Sequence, residues 1–178
     1  NPLTLKHPKP LLKIGKETLL SNTLKFLELH GVKKVVINVH YLREQIIDYI
    51  NNNQFNLSIN IVEEKDQILD TGGGVLNAIQ YFSNLPFLII NPDTIWSSNY
   101  LNELQLMEKL FFKDTKNKCS LLVVNKKKSF DQSLKGDFNL KNNLINRKNV
   151  NELKCIYTGL QIIKPEVFSK INEKVFSI

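Results

Sequence analysis

Three apolar runs of strand length, separated by segments whose leucines and isoleucines recur at helical spacing, restrict this chain to an alternating α/β fold. Val35-Val-Ile-Asn-Val39 is β-branched and apolar apart from Asn38, close to what a strand buried on both faces should be. Leu57 to Val62 and Phe87-Leu-Ile-Ile90 repeat the pattern. Ahead of the first run, Leu20, Leu24 and Leu27 share one helix face, and His30-Gly31 closes that helix. Arg43 to about Asn52 predicts a second helix with Ile46, Ile47 and Ile50 inward. Val75, Ile79 and Phe82 predict a third, after three glycines. This βαβαβ order implies a parallel sheet with right-handed crossovers.

The second half departs from strict alternation. Leu101, Leu104, Met107 and Phe111 predict a helix, and Ser120 to Val124 a strand. Lys126 to Lys154 is polar and rich in Asn, and Lys135–Arg147 predicts a hairpin turning at Lys141-Asn-Asn143. Cys155 to Ile163 reads as a last strand, and Pro165 opens a short helix at its first position. No repeat, linker or low-complexity tract interrupts the chain. The expectation is one α/β domain with an appended β-hairpin region.

With 178 residues, 42% of them hydrophobic, the chain can bury a core. No apolar run approaches the roughly 18 residues of a membrane span, and the N-terminus lacks a signal-peptide core. Cys119 and Cys155 lie in apolar runs without CxxC or Cys/His spacing, so they read as buried free thiols in a reducing cytoplasm. The net charge of +7 raises nucleic-acid binding as one class. The basic residues are dispersed, apart from Lys126-Lys-Lys128, and no aromatics interleave with them. A site for anionic small molecules suits that charge better.

Three strand ends carry polar residues that strand packing does not require: Asn38-Val-His40, Glu63-Glu64 followed by Asp70-Thr-Gly-Gly-Gly74, and Asn91-Pro-Asp93. Ligands of open parallel sheets bind at such ends. A glycine-rich strand-to-helix turn lets backbone N–H groups approach an anionic or planar ligand. The same triplet also fits a sharp loop needing positive φ. It is neither GxGxxG nor a Walker A loop. Asp93 suits a Mg²⁺ ligand, or an ordinary turn begun by Asn91-Pro92. Lys9 lies between Pro8 and Pro10, which should hold it on extended backbone, positioned rather than merely solubilising.

Together these pieces resemble the sugar-1-phosphate nucleotidyltransferases, in order and across essentially all 178 residues. Pro2-Leu-Thr4, Pro8-Lys-Pro-Leu11 and Gly15-Lys16 fit that family's N-terminal segment. "LDTGGGV" is similar to its Leu-Gly-Thr-Ala-Gly segment, "NPDTIW" to its Asn-x-Asp metal motif, and "YTGLQIIKPEVF" to a strand and helix near the sugar pocket. Within the family the chain looks most like the N-acetylmuramate 1-phosphate uridylyltransferases of cell-wall recycling, then the mannose-1-phosphate guanylyltransferases. The resemblance implies a Rossmann-like three-layer α/β fold with a mostly parallel, mixed sheet. It also implies one nucleotidyltransferase domain over 1–178, with 1–125 binding nucleotide and 126–178 an incomplete sugar-binding part.

The resemblance further implies roles. Lys9 is catalytic, neutralising phosphates. Pro2, Leu3, Lys9, Glu64, Asp70, Thr71, Gly72 and Gly73 bind the nucleotide, with the two glycines bounding the nucleobase pocket. Asn91, Gly136, Thr158 and Gly159 face the sugar, and Asp93 holds Mg²⁺. Two departures stand out. The family's Gly-x-Gly-x-x-Arg would precede Asn1, and its second metal-binding Asp would follow Ile178, so the chain reads as cut at both ends and poorly active by itself. Its Glu-Lys-Pro sugar motif is not recognisable between Gly136 and Tyr157, which leaves the sugar open. The expected partners are an NTP, UTP first, and a sugar 1-phosphate, with Mg²⁺ as cofactor, neither nucleic acid nor membrane, and a homo-oligomer left open. The competing class is a non-catalytic relative that binds nucleotide sugar as a regulator. A decayed site should have lost Lys9 or Asp93, and both are present.

Overall fold

The computed structural model describes residues 3–64, 68–131, 133–147 and 153–178. In chain order its strands are β1 (Lys13–Ile14), β2 (Glu17–Thr18), β3 (Lys34–Val39), β4 (Ser58–Glu63), β5 (Phe87–Ile90), β6 (Cys119–Asn125), β7 (Asn139–Lys141), β8 (Leu144–Asn146) and β9 (Cys155–Ile163). Its α-helices are α1 (Leu19–His30), α2 (Arg43–Asn51), α3 (Asp70–Ala78) and α4 (Leu101–Lys113). No helix among the described residues is long and apolar enough to cross a membrane.

The chain forms two compact units that interleave in sequence. The first comprises 1–87, 92–102 and 164–178, and the second 88–91 and 103–163.

In the first unit, β3 and β4 pair in parallel, Lys34 opposite Ser58 through Val39 opposite Glu63. That is the ladder the alternation predicts. Leu20, Leu24, Val39, Ile46 and Ile50 form a buried cluster, with Val35, Ile37, Ile59 and Ile61 packed against it. Burial of these side chains, each contributing about 1.5–3 kcal/mol, holds α1 and α2 to the strand pair. The Thr18 hydroxyl caps α1 by accepting from the Ser21 N–H at 3.0 Å, and Gly31 ends it at φ +95.

In the second unit β9 lies between β5 and β6. β6 and β9 run antiparallel, with a shift in register between Leu121 and Val123. The described ladders thus include both parallel and antiparallel pairs. Leu104, Met107 and Phe111 are the buried face of α4, as their spacing predicts. The hairpin turns where expected. β7 pairs with β8 across Asn142 and Asn143, both at positive φ, the two-residue turn whose twist matches antiparallel strands.

Candidate functional site

The polar strand ends are built from the first unit upward. The segment before β1 is tied down by side chains beside α2: the Tyr41 hydroxyl donates to the Leu5 carbonyl at 2.8 Å, and the Gln45 amide to the Lys6 carbonyl at 3.1 Å. Leu3 opens a short 3₁₀ turn, Leu3–Leu5, and Pro2 lies outside the described residues. Lys9 does not sit on extended backbone. Pro8 is extended, but Lys9–Leu11 is a 3₁₀ turn, closed by Leu11 N–H to the Pro8 carbonyl at 2.9 Å. Proline's fixed φ suits a 3₁₀ turn as well as an extended strand, so two prolines alone do not choose between them.

Lys9 meets Asp93 across 84 positions of sequence, Nζ to Oδ2 at 2.7 Å, with side chains 59% and 40% exposed. Asp93 follows the end of β5 in a turn, and the chain beyond it is anchored by Trp96. That indole is 2% exposed and stacks on Phe26 at 5.5 Å, while the Asn22 amide donates to the Trp96 carbonyl at 2.6 Å. The motif "NPDTIW" by itself gives Trp96 no role. A lone tryptophan three residues after a candidate ligand was the available signal.

A single carboxylate matches Mg²⁺ only in the form in which that ion takes one protein oxygen and draws its other ligands from phosphates and water. Among the described residues no group of three or more His, Cys, Asp or Glu could hold a metal ion. Asp93 fits that limited role and no larger one.

The glycine triplet departs most from expectation. Gly72, Gly73 and Gly74 lie inside α3, not in a loop ahead of it, and none has positive φ. The positive φ falls instead on Asp70, at +60. The triplet answers to close approach. A Cβ on Gly72 would collide with the Phe176 ring, one on Gly73 with the Lys174 carbonyl oxygen, and one on Gly74 would sit 2.6 Å from the Asn38 amide and 2.9 Å from Glu64 Oε1.

The amides expected to face a ligand already have partners. Gly72 and Gly73 N–H donate to the Phe176 carbonyl at 2.8 and 3.2 Å. Neither Asp70 nor Thr71 caps the helix: the cap position is Leu69, without a side-chain bond. Asp70 Oδ1 accepts from Thr71 N–H at 2.6 Å, and Glu64 Oε2 accepts from Leu69 N–H at 3.0 Å. Glu64 is 8% exposed, so this bond and the Asn38 amide at 3.4 Å compensate its burial. His40 Nδ1 lies 2.6 Å from the Glu64 carbonyl oxygen.

In the second unit the residues expected to face the sugar fall into three places. Asn91 and Gly159 meet directly, Asn91 N–H donating to the Gly159 carbonyl at 2.8 Å. Gly159 is at φ +84, and a Cβ there would stand 2.8 Å from the Asn91 Cβ, so only glycine fits. Thr158 donates its hydroxyl to the Leu122 carbonyl at 2.9 Å. Gly136, at φ +80, packs on the Leu153 backbone, and its neighbour Asp137 accepts from Tyr157 N–H at 2.8 Å. Asp137 therefore joins the start of β9 to the turn before β7. Both cysteines are free. Burial pushes the Cys119 thiol up to about 11 and raises the Tyr157 hydroxyl as well, so Cys119 is no nucleophile near neutrality.

Comparison with known proteins agrees with the ordered motifs. Residues 1–130 match the family described as "Nucleotidyl transferase". The chain is 26% identical over 182 residues to the N-acetylmuramate alpha-1-phosphate uridylyltransferase of Caulobacter vibrioides, covering 99% of this chain and 75% of that protein. It is 28% identical over 127 residues to mannose-1-phosphate guanylyltransferase 1 of Arabidopsis thaliana, covering 68% of this chain and 34% of that one. The fold is similar to the crystal structure of HddC from Yersinia pseudotuberculosis, with TM-score 0.73, 24% identity, and coverage of 96% of this chain and 73% of that one. The chain belongs to the nucleotidyl transferase family, and its ordered motifs set it among the enzymes of that family that act as sugar-1-phosphate nucleotidyltransferases.

Proposed function

We propose that the chain transfers a nucleotidyl group from an NTP, UTP first, to a sugar 1-phosphate, releasing pyrophosphate. The sugar phosphate oxygen attacks the α-phosphorus and pyrophosphate leaves in line, a reaction that asks for positioning and charge neutralisation rather than covalent help. The observation that carries this reading is the Lys9–Asp93 pair. It gathers a cation and a carboxylate at an exposed point of the first unit. Such a pair is worth no more than about 1 kcal/mol, so the ammonium can leave it for a phosphate oxygen at little cost. Asp93 would hold Mg²⁺, which when bound neutralises phosphate charge.

Asp70 and Thr71, with the N-terminal turn that includes Leu3, would bind the nucleotide, and Pro2 belongs to the same proposal. Glu64, whose carboxylate holds the Leu69 amide ahead of Asp70, would belong to the same nucleotide site. Gly72 and Gly73, whose missing side chains make room for Phe176 and Lys174, would bound the nucleobase pocket through the Asp70–Thr71 turn that they anchor. Asn91, Gly136, Thr158 and Gly159 would face the sugar. A uridylyltransferase among the relatives supports UTP, and free thiols support a reducing cytoplasm as the setting.

The test is pyrophosphate release over a panel of UTP, GTP, CTP and dTTP with several sugar 1-phosphates, with and without Mg²⁺. Turnover strongest with UTP and abolished by chelator is the expected result. Nucleotide binding without turnover across the panel would favour a regulatory relative instead.

A further inference from the structure

We infer that the segment Lys174–Ile178 is a positioning strap for the Asp70–Thr71 turn, with Phe176 as its key residue. The inference rests on the proposed nucleotide role of that turn. The strap is joined to the start of α3 by backbone on both sides: Phe176 N–H donates to the Leu69 carbonyl at 3.3 Å, and the Phe176 carbonyl accepts from Gly72 and Gly73. Side chains extend the seam. Thr71 Oγ1 lies 3.2 Å from Ser177 Oγ and accepts from Ile178 N–H at 3.2 Å. The Phe176 ring lies over Gly72 and near Phe168, ring centroids 6.5 Å apart.

Three independent features point to the same role. A helix start leaves N–H groups without intrahelical partners, and here one strap carbonyl takes two of them. Two consecutive glycines cost helix propensity, which is tolerated where the strap backbone must come that close. Asp70 sits at φ +60, a left-handed conformation that a residue with a side chain keeps when its surroundings hold it there. Those surroundings are Glu64 holding the Leu69 amide and the strap holding the Leu69 carbonyl, Thr71 and Gly72. The strap thus keeps Asp70 and Thr71 in one arrangement before nucleotide arrives, and binding need not order them.

The experiment compares steady-state kinetics of the full-length wild type, Phe176→Ala, Phe176→Leu and Ser177→Ala, with amide exchange at Gly72 and Gly73. Phe176→Ala should raise the KM for NTP about tenfold, the loss of one or two neutral hydrogen bonds' worth of ordering. Its kcat should stay within about twofold, because the reacting groups are untouched. The Gly72 and Gly73 amides should exchange faster. Phe176→Leu, which keeps the apolar cover, should restore KM to near wild type. Ser177→Ala removes only the hydroxyl facing Thr71 and should raise KM about two- to threefold, giving a readout even if Phe176→Ala fails to fold. Unchanged KM despite faster exchange would overturn the strap's positioning role. A lowered KM would also overturn it, because the strap would then be covering the binding surface. Absence of transfer by the wild type would sink the proposed function itself; an active wild type with indifferent variants sinks only this inference.

Discussion

Lys9 and Asp93 meet at the surface through one ion pair, whereas Gly72 and Gly73 are buried beneath the Lys174–Ile178 segment and held by backbone hydrogen bonds. Both belong to the first unit, and both were singled out as site residues from sequence. They differ in what a substitution removes. At the ion pair, mostly solvated charges lose a partner that water replaces, so folding hardly notices. At the glycines, an added methyl group enters space already filled by the Phe176 ring and the Lys174 backbone, and a close-packed interior cannot yield without moving the strap. The first region is built to exchange partners and the second to hold still.

The sharpest break of this contrast is to remove the charges. Lys9→Ala and Asp93→Ala should each lower kcat by about 10²–10³-fold, on the order of 3–4 kcal/mol of transition-state stabilisation. Unfolding free energy, measured in urea, should stay within about 0.5 kcal/mol of wild type. Near-normal turnover in either variant removes that residue from the chemistry.

Gly73→Val should give the opposite profile. Its Cβ would enter the Lys174 carbonyl, and stability should fall by about 2–3 kcal/mol, read from the same urea titration. The KM for NTP should rise with it. A Gly73→Val protein as stable as wild type would show that the strap is not seated on the glycines.

Lys9→Arg is a finer probe of the charged region. The planar guanidinium should pair with Asp93 yet grip phosphate differently, leaving about a tenth of wild-type kcat. Full activity would mean that any cation suffices there. The smallest expected effect is that of salt. Raising ionic strength from about 0.05 to 0.5 M screens the exposed pair and should change unfolding free energy by less than about 0.5 kcal/mol. A larger loss would show the pair to be structural, erasing the contrast with the glycine region.

Much of the fold was legible because periodicity reports burial. The spacing of Leu20, Leu24 and Leu27 foretold α1, the β-branched runs foretold β3 and β5, and Asn142-Asn143 foretold the hairpin turn. Local chemistry was enough wherever neighbours in sequence supply the decisive contacts. Lys9 was expected on extended backbone and sits on a 3₁₀ turn because proline's φ serves both conformations. The glycines were expected in a loop and lie in α3, since their purpose is set by Phe176 and Lys174, about a hundred positions away.

The residues of this chain by themselves determined the alternating α/β class, the helix faces, the hairpin and the family-like order of Pro8-Lys-Pro-Leu11, "LDTGGGV", "NPDTIW" and "YTGLQIIKPEVF". Each of these is written in spacing or composition over a few residues. Tertiary structure alone decided that Lys9 reaches Asp93, that Asn91 meets Gly159, and that the Phe176 carbonyl takes the Gly72 and Gly73 amides. Those contacts join positions 68 to 104 residues apart or link a backbone carbonyl to a backbone amide. A backbone carbonyl is the same in every residue, so no side-chain pattern announces which amide it will meet; only the folded path of the chain does.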